Sequence, residues 1–156
     1  MRRSVNAAQL VHLRPDPALS LKDPESSELG RAILSEGLAL MNELGLEAFT
    51  FKKLAARLQS TEVSLYKYCP NKQRLLQYYY QLYWLWLRQV SGRHAERSAS
   101  PREALERVVE AVCGVWPKEV PGLQLDPHAL RALVIDEGMK AYLQALVIDE
   151  GMKAYL

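Results

Sequence analysis

Two cysteines, Cys69 and Cys113, are all that a chain of 156 residues contains. They are too few and too far apart for a disulfide scaffold or a zinc site, and free thiols in a reducing cytoplasm fit that count. No run approaches the roughly 20 apolar residues that a membrane-crossing helix needs. Met1-Arg2-Arg3 leads into mixed polar sequence rather than the apolar core of a secretion signal. The spacings of common enzyme chemistry are missing as well: no His-Glu-x-x-His, no Cys-x-x-Cys, no Gly-x-Ser-x-Gly. His12, His94 and His128 stand apart, and His94 lies among arginines on what reads as a solvated helix face. No catalytic residue, metal ligand or cofactor is assigned, and an enzyme is not expected. What is present, 49% hydrophobic and 24% charged residues, suits a soluble globular chain with its own core.

The informative stretch is residues 50–76, TFKKLAARLQSTEVSLYKYCPNKQRLL. Thr50 can cap a helix whose apolar positions Phe51, Leu54, Ala55 and Leu58 recur at helical spacing. Gln59 and Ser60 break the pattern, and Thr61 offers a second cap ahead of Glu62, Val63, Ser64, Leu65 and Tyr66. Two short helices across a tight turn make a helix-turn-helix, with a second helix sized for the major groove of DNA. Between residues 50 and 77, Lys52, Lys53, Arg57, Lys67, Lys72 and Arg74 face the single acid Glu62, a net of +5 in a chain of +2 overall. Positive charge is thus gathered where a phosphate backbone would need it. The same residues can also be read as ordinary solvated helix faces; the two-helix pattern favours DNA.

This segment resembles the DNA-binding signature of the tetracycline-repressor (TetR) family of bacterial regulators. Thr50, Leu54, Ala55, Thr61, Ser64, Leu65, Tyr66, Tyr68, Lys72, Leu75 and Leu76 match it or substitute conservatively. Leu58, Gln59, Ser60, Val63, Cys69 and Gln73 depart from it. A glycine is replaced at Gln59, which implies either a turn without positive φ or a polar residue tolerating it. Cys69 stands where the family has a large aromatic, so packing under the recognition helix must differ locally. The resemblance covers about residues 28–90.

Roles carried over by position make Glu62, Val63, Ser64, Tyr66, Lys67 and Tyr68 the groove-facing set. Glu62 and Ser64 can exchange hydrogen bonds with base edges, and Val63 can meet a thymine methyl. In the family, the positions of Tyr66 and Tyr68 touch phosphates. Lys52 and Lys72 would neutralise phosphates from either side, with Thr50 and the cap Thr61 completing the set. Leu54, Leu58 and Leu65 read as core. On this reading Lys72→Ala flattens the salt dependence of DNA binding by about one unit.

Around this stretch the chain divides into an irregular N-terminal arm at 1–22, a helix-turn-helix domain at 23–76 and a helical effector-binding and dimerisation region at 77–156. Arg2, Arg3 and Arg14 of the arm could enter a minor groove, though a disordered tail is the plainer reading. Asp23-Pro24-Glu25 reads as a helix start, followed by the stripe Leu29, Ala32, Ile33, Leu40, Met41 and Leu44 as far as Gly45. Asn71 caps a helix over about 72–97 that carries Tyr78, Tyr79, Tyr80, Tyr83, Trp84 and Trp86. Those rings are either core packing or the lining of a ligand cavity. The second reading assigns Tyr79, Tyr83, Trp84, Trp86 and the later Trp116 to a small hydrophobic or aromatic effector. Ser100-Pro101 opens a helix with Leu105, Val108, Val109, Val112 and Trp116 on one face, and Asp126-Pro127 opens the last helix.

The predicted fold is all-α: a three-helix head joined by a long aromatic-rich helix to a helical body that is short for the family. The family mechanism implies a homodimer on double-stranded DNA at an inverted-repeat operator, a ligand-responsive repressor in the bacterial cytoplasm at the nucleoid, and no membrane partner. The competing class is a helical protein–protein adaptor that keeps the fold without DNA; the retained charge over 50–77 argues against it. Finally, ALVIDEGMKAYL at 132–143 recurs letter for letter at 145–156. In one helix that offset turns the second copy by about 220° from the first, so its apolar face points nearly away. Identity without geometric benefit points to a recent duplication, a cloning scar or an artefact, and no function is built on it.

Overall fold

The computed structural model describes residues 14–114, 124–138 and 140, and every regular element among them is helical. Five helices carry printed bounds, α1 Glu28–Ala48, α2 Phe51–Arg57, α3 Glu62–Tyr66, α4 Lys72–Arg97 and α5 Pro101–Cys113. A further helical stretch, residues 127–138, is α6. The N-terminal residues 1–13, Trp116 and the repeated tail 145–156 lie outside the described residues.

Each helix begins where a short polar side chain satisfies a backbone N–H that has no intrahelical partner. Thr50 Oγ1 accepts from Lys53 N, Thr61 Oγ1 from Ser64 N, Asn71 Oδ1 from Arg74 N, and Ser100 Oγ from Glu103 N. The expected start at Asp23-Pro24 is corrected. Asp23 caps only the 3-10 turn Pro24–Ser26, and α1 begins at Glu28 behind Ser27, whose Oγ accepts from Gly30 N. The reason is a close approach: a Cβ at Gly30 would overlap the Pro24 carbonyl, so the chain folds back on α1 before the helix can run.

The regular part of α1 stops at Gly45, which sits at φ 75°. Between α2 and α3 the turn takes the second of the two alternatives at Gln59, a non-glycine residue at φ 50°. Ser60 N donates to Ala55 O at 2.9 Å and Gln59 N to Ala56 O at 3.2 Å. This is the doubled bond of a Schellman stop, which needs a left-handed residue between helix and turn. Leu54, Leu65, Ile33, Met41, Phe49 and Leu75 close the core of the head.

The stretch 15–21, expected as part of an irregular arm, lies on the head. Pro15 and Leu19 are buried, Asp16 N donates to Gln81 Oε1 at 2.7 Å, and Leu21 N donates to Tyr68 O at 2.8 Å. Helix α4 runs out of this core into the body, burying Tyr79, Tyr83 and Trp86 completely or nearly so. Helix α6 returns to the head, where Asn42 Nδ2 of α1 donates to Ala129 O at 3.0 Å. Part of the apolar row on α5 points outward: Leu105, Val109 and Val112 are 65%, 51% and 50% exposed. The side carrying Ala104, Val108 and Ala111 is the more buried one, because small side chains let α5 approach the bulky rings of α4.

A left-handed conformation costs an L-residue about 1–2 kcal/mol, partly offset by the greater unfolded-state freedom of glycine. Gln59→Gly should therefore stabilise the fold by roughly 0.5–1 kcal/mol. The check is a urea midpoint that rises while its slope stays constant.

Candidate nucleic-acid interface

The second helix of the pair is short and outward-facing. Only Leu65 of α3 is buried, packed with Leu54 and Ala55 of α2 in the head core. The remaining positions point away from that core: Val63 is 69% exposed, Tyr66 is 44% exposed, and Glu62 and Ser64 are half-buried. An isolated valine at that exposure has no packing function in the described head. Its neighbour Ser64 keeps its hydroxyl 2.9 Å from Thr61 Oγ1, an arrangement that ties both groups to the cap of the helix. Tyr66 is held at an angle by Phe51, with ring centroids 5.1 Å apart.

Beside α3 opens a cleft of about 260 Å³ lined by residues 49–51, Tyr66 and residues 70–73. Thr50, Tyr66 and Lys72 from the expected set meet there, together with Asn71 and Gln73, which the sequence reading treated only as a cap and a departure. Their signal was present as an exposed helix start. What could not be read was that the start of α4 lies beside the end of α3.

Two members of the expected set have side chains bonded within the fold. Tyr68 is 5% exposed; its hydroxyl lies 2.7 Å from Ser27 Oγ and accepts from Lys22 Nζ at 3.4 Å. The Ser27 bond, then Lys22 by hydrogen bond and by charge, lowers the pKa of the phenol from its ordinary value. The Lys22 ammonium also lies 5.1 Å from the centre of that ring. Tyr68 therefore clasps the N-terminal stretch to the cap of α1. Lys72 is the second. Its Nζ donates to the carbonyls of Leu46, Glu47 and Phe49 at 2.9, 3.3 and 3.4 Å. An ammonium has three N–H donors, and all three are used to close the end of α1.

The other cations divide in the same way. Arg57 bridges Glu36 and Glu43 of α1, each at 2.7 Å, which raises its own pKa and lowers that of Glu43. Lys53 Nζ donates to Ala48 O at 2.7 Å. The side chains of Lys52 and Lys67 are exposed and make no hydrogen bond or ion pair among the described residues. Lys52 lies on α2, and Lys67 directly follows α3.

The rings assigned to an effector separate too. Tyr79 is fully buried, its hydroxyl donating to Leu34 O at 2.8 Å, and burial pushes its pKa well up. Tyr83 and Trp86 are buried with centroids 6.1 Å apart. Trp84 is 56% exposed on the far side of α4, and Trp116 lies outside the described residues. A cavity of about 320 Å³ opens instead between the 14–25 stretch and Tyr78, touching none of these rings. Among the described residues no cluster of three metal-ligating side chains occurs, and no helix is long and apolar enough to cross a membrane.

The revised roles give opposite outcomes for two lysines. Lys72→Ala should cost about 1–3 kcal/mol of stability through the freed carbonyls, with the salt slope of DNA binding unchanged. Lys67→Ala should leave the urea midpoint in place and reduce that slope by about one.

Residues 33–79 match the family described as bacterial regulatory proteins, tetR family. No curated protein and no solved structure matches the chain. The matched span runs from the middle of α1 through the two short helices into α4, so it takes in the whole of the interface just described. Residues 33–79 are thus a helix-turn-helix domain of the kind found in the tetR family of bacterial regulatory proteins, which supports a DNA-binding regulator of transcription.

Proposed function

We propose that this regulator is a ligand-responsive repressor that binds an inverted-repeat operator as a homodimer. The observation that carries the reading is the outward face of α3, where Glu62, Val63, Ser64 and Tyr66 stand between the unengaged cations Lys52 and Lys67. In a major groove, Glu62 would accept from a cytosine amino group, Val63 would meet a thymine methyl, and Ser64 would exchange a hydrogen bond with a base edge. Thr50 and Tyr66, at the cleft, would position the phosphates, with Thr61 holding the helix start. The head is taken as 23–76 and the effector and dimer region as 77–156.

One head buries too little DNA for tight selective binding, which is the physical case for two-fold pairing. The exposed row Leu105, Val109 and Val112 on α5 supports it, since an apolar row of that kind commonly marks an interface. Response to a ligand is supported by connectivity. Helix α4 is continuous from the head into the body, and α6 touches α1 through Asn42 and Ala129. A ligand that shifts α6 or the rings of α4 would thereby move the heads as rigid bodies.

Fragments selected from random-sequence DNA at near-physiological salt should be enriched in an inverted repeat whose half-sites lie about one helical turn apart. Uniform weak recovery would instead point to a protein–protein adaptor. Val109→Glu should shift sedimentation toward the monomer and weaken operator binding at least about tenfold; an unchanged dimer would remove α5 from the interface.

A further inference from the structure

Helix α3 has five residues, and Leu65 is the one side chain it buries. A helix of that length does not hold its own conformation in water, and one buried side chain fixes a point of contact rather than an angle. The last turn of α3 is continued by Tyr68 and Cys69, whose backbone N–H groups both donate to Leu65 O, at 2.9 and 3.1 Å. Tyr68 is therefore the handle of the helix, and it is gripped twice from outside.

Its main chain is held by Leu21 N, which donates to Tyr68 O at 2.8 Å. Its hydroxyl lies 2.7 Å from Ser27 Oγ and accepts from Lys22 Nζ at 3.4 Å, with that ammonium 5.1 Å from the ring centroid. The stretch that supplies these contacts is anchored on α4 and in the core. Asp16 N donates to Gln81 Oε1 at 2.7 Å, Asp16 Oδ1 caps the 3-10 turn Pro17–Leu19 by accepting from Ala18 N, and Leu19 is 4% exposed. Burial of Leu19 explains why the stretch lies on the head. It does not explain why the backbone and the side chain of one residue, at the end of α3, are both bonded to it.

We propose that residues 16–22 form a strap that fixes the angle of α3 for DNA, with Lys22 and Tyr68 as its positioning residues. In this role neither side chain touches DNA: Tyr68 is 5% exposed, and the Lys22 ammonium is turned to its phenol. Loosening the strap lowers the fraction of heads with α3 correctly set, and the apparent affinity falls by that fraction. The assignment rests on α3 being the helix that reads DNA.

The test pairs operator titration with amide hydrogen exchange, on the full chain and on Tyr68→Phe and Lys22→Met, which keep the ring and the stem. Each variant is expected to bind the selected operator about threefold to tenfold more weakly, with an unchanged salt slope. The double variant should lose little more than either single one, because both cut the same contact. Lys22→Arg, which keeps a donor, should recover most of the affinity. The amides of Leu65, Tyr68 and Cys69 should exchange faster in both variants, while those of α5 keep their rates. Undiminished operator affinity in either single variant would overturn the proposal, and so would unchanged exchange. A salt slope reduced by about one in Lys22→Met would make Lys22 a phosphate contact and overturn its positioning role. If the unaltered chain selects no DNA, the operator reading falls and takes the recognition role with it; faster exchange in the variants would still establish that the strap holds α3.

Discussion

The head hangs on the crossing of α1 over α4. The Tyr79 hydroxyl donates to Leu34 O in the interior, and Gly37 has no Cβ to obstruct it. A few residues along, Lys72 at the start of α4 gathers the last carbonyls of the α1 segment. A buried hydroxyl and a half-buried ammonium must be satisfied or they destabilise the fold, and here each is satisfied by the backbone of the other helix. The two contacts fix where α1 ends and α4 begins. Helices α2 and α3 are too short to hold their own orientation, so the face they present is set by that crossing.

The same constraint sorts the positive charge. Six cations within 28 residues look like one basic patch in sequence. In space, Arg57 is compensated by two glutamates of α1, while Lys53 and Lys72 bond to carbonyls. Lys52 and Lys67 keep their charge for a partner. Charge counted along a chain therefore overstates the field at the interface, because acids from a helix folded elsewhere are not counted with it.

The legible parts were those written in local chemistry. Thr50, Thr61, Asn71 and Ser100 each precede a helix because a hydroxyl or amide can accept from a free N–H two or three residues on, whatever the tertiary context. The helix-turn-helix order, the stop at Gly45 and the core roles of Leu54 and Leu65 follow from such signals together with helical periodicity. The all-α class followed from their sum. Where local signals competed, the sequence was ambiguous: Asp23 and Ser27 are both good caps, and a contact between Pro24 and Gly30 decided that the helix waits for the second.

Tertiary structure alone decided which side of each helix is spoken for. Tyr66 and Tyr68 are two residues apart in the same motif, yet one is exposed at a cleft and the other is sealed under Ser27 and Lys22. On α4, Trp84 and Trp86 divide in the same manner. On α5, Leu105, Val109 and Val112 stay exposed while the side of Ala104, Val108 and Ala111 is the more buried. Residue type and spacing determine that a helix forms and which positions share a face. Which face is occupied depends on helices distant in sequence, and that information exists only once the chain has folded.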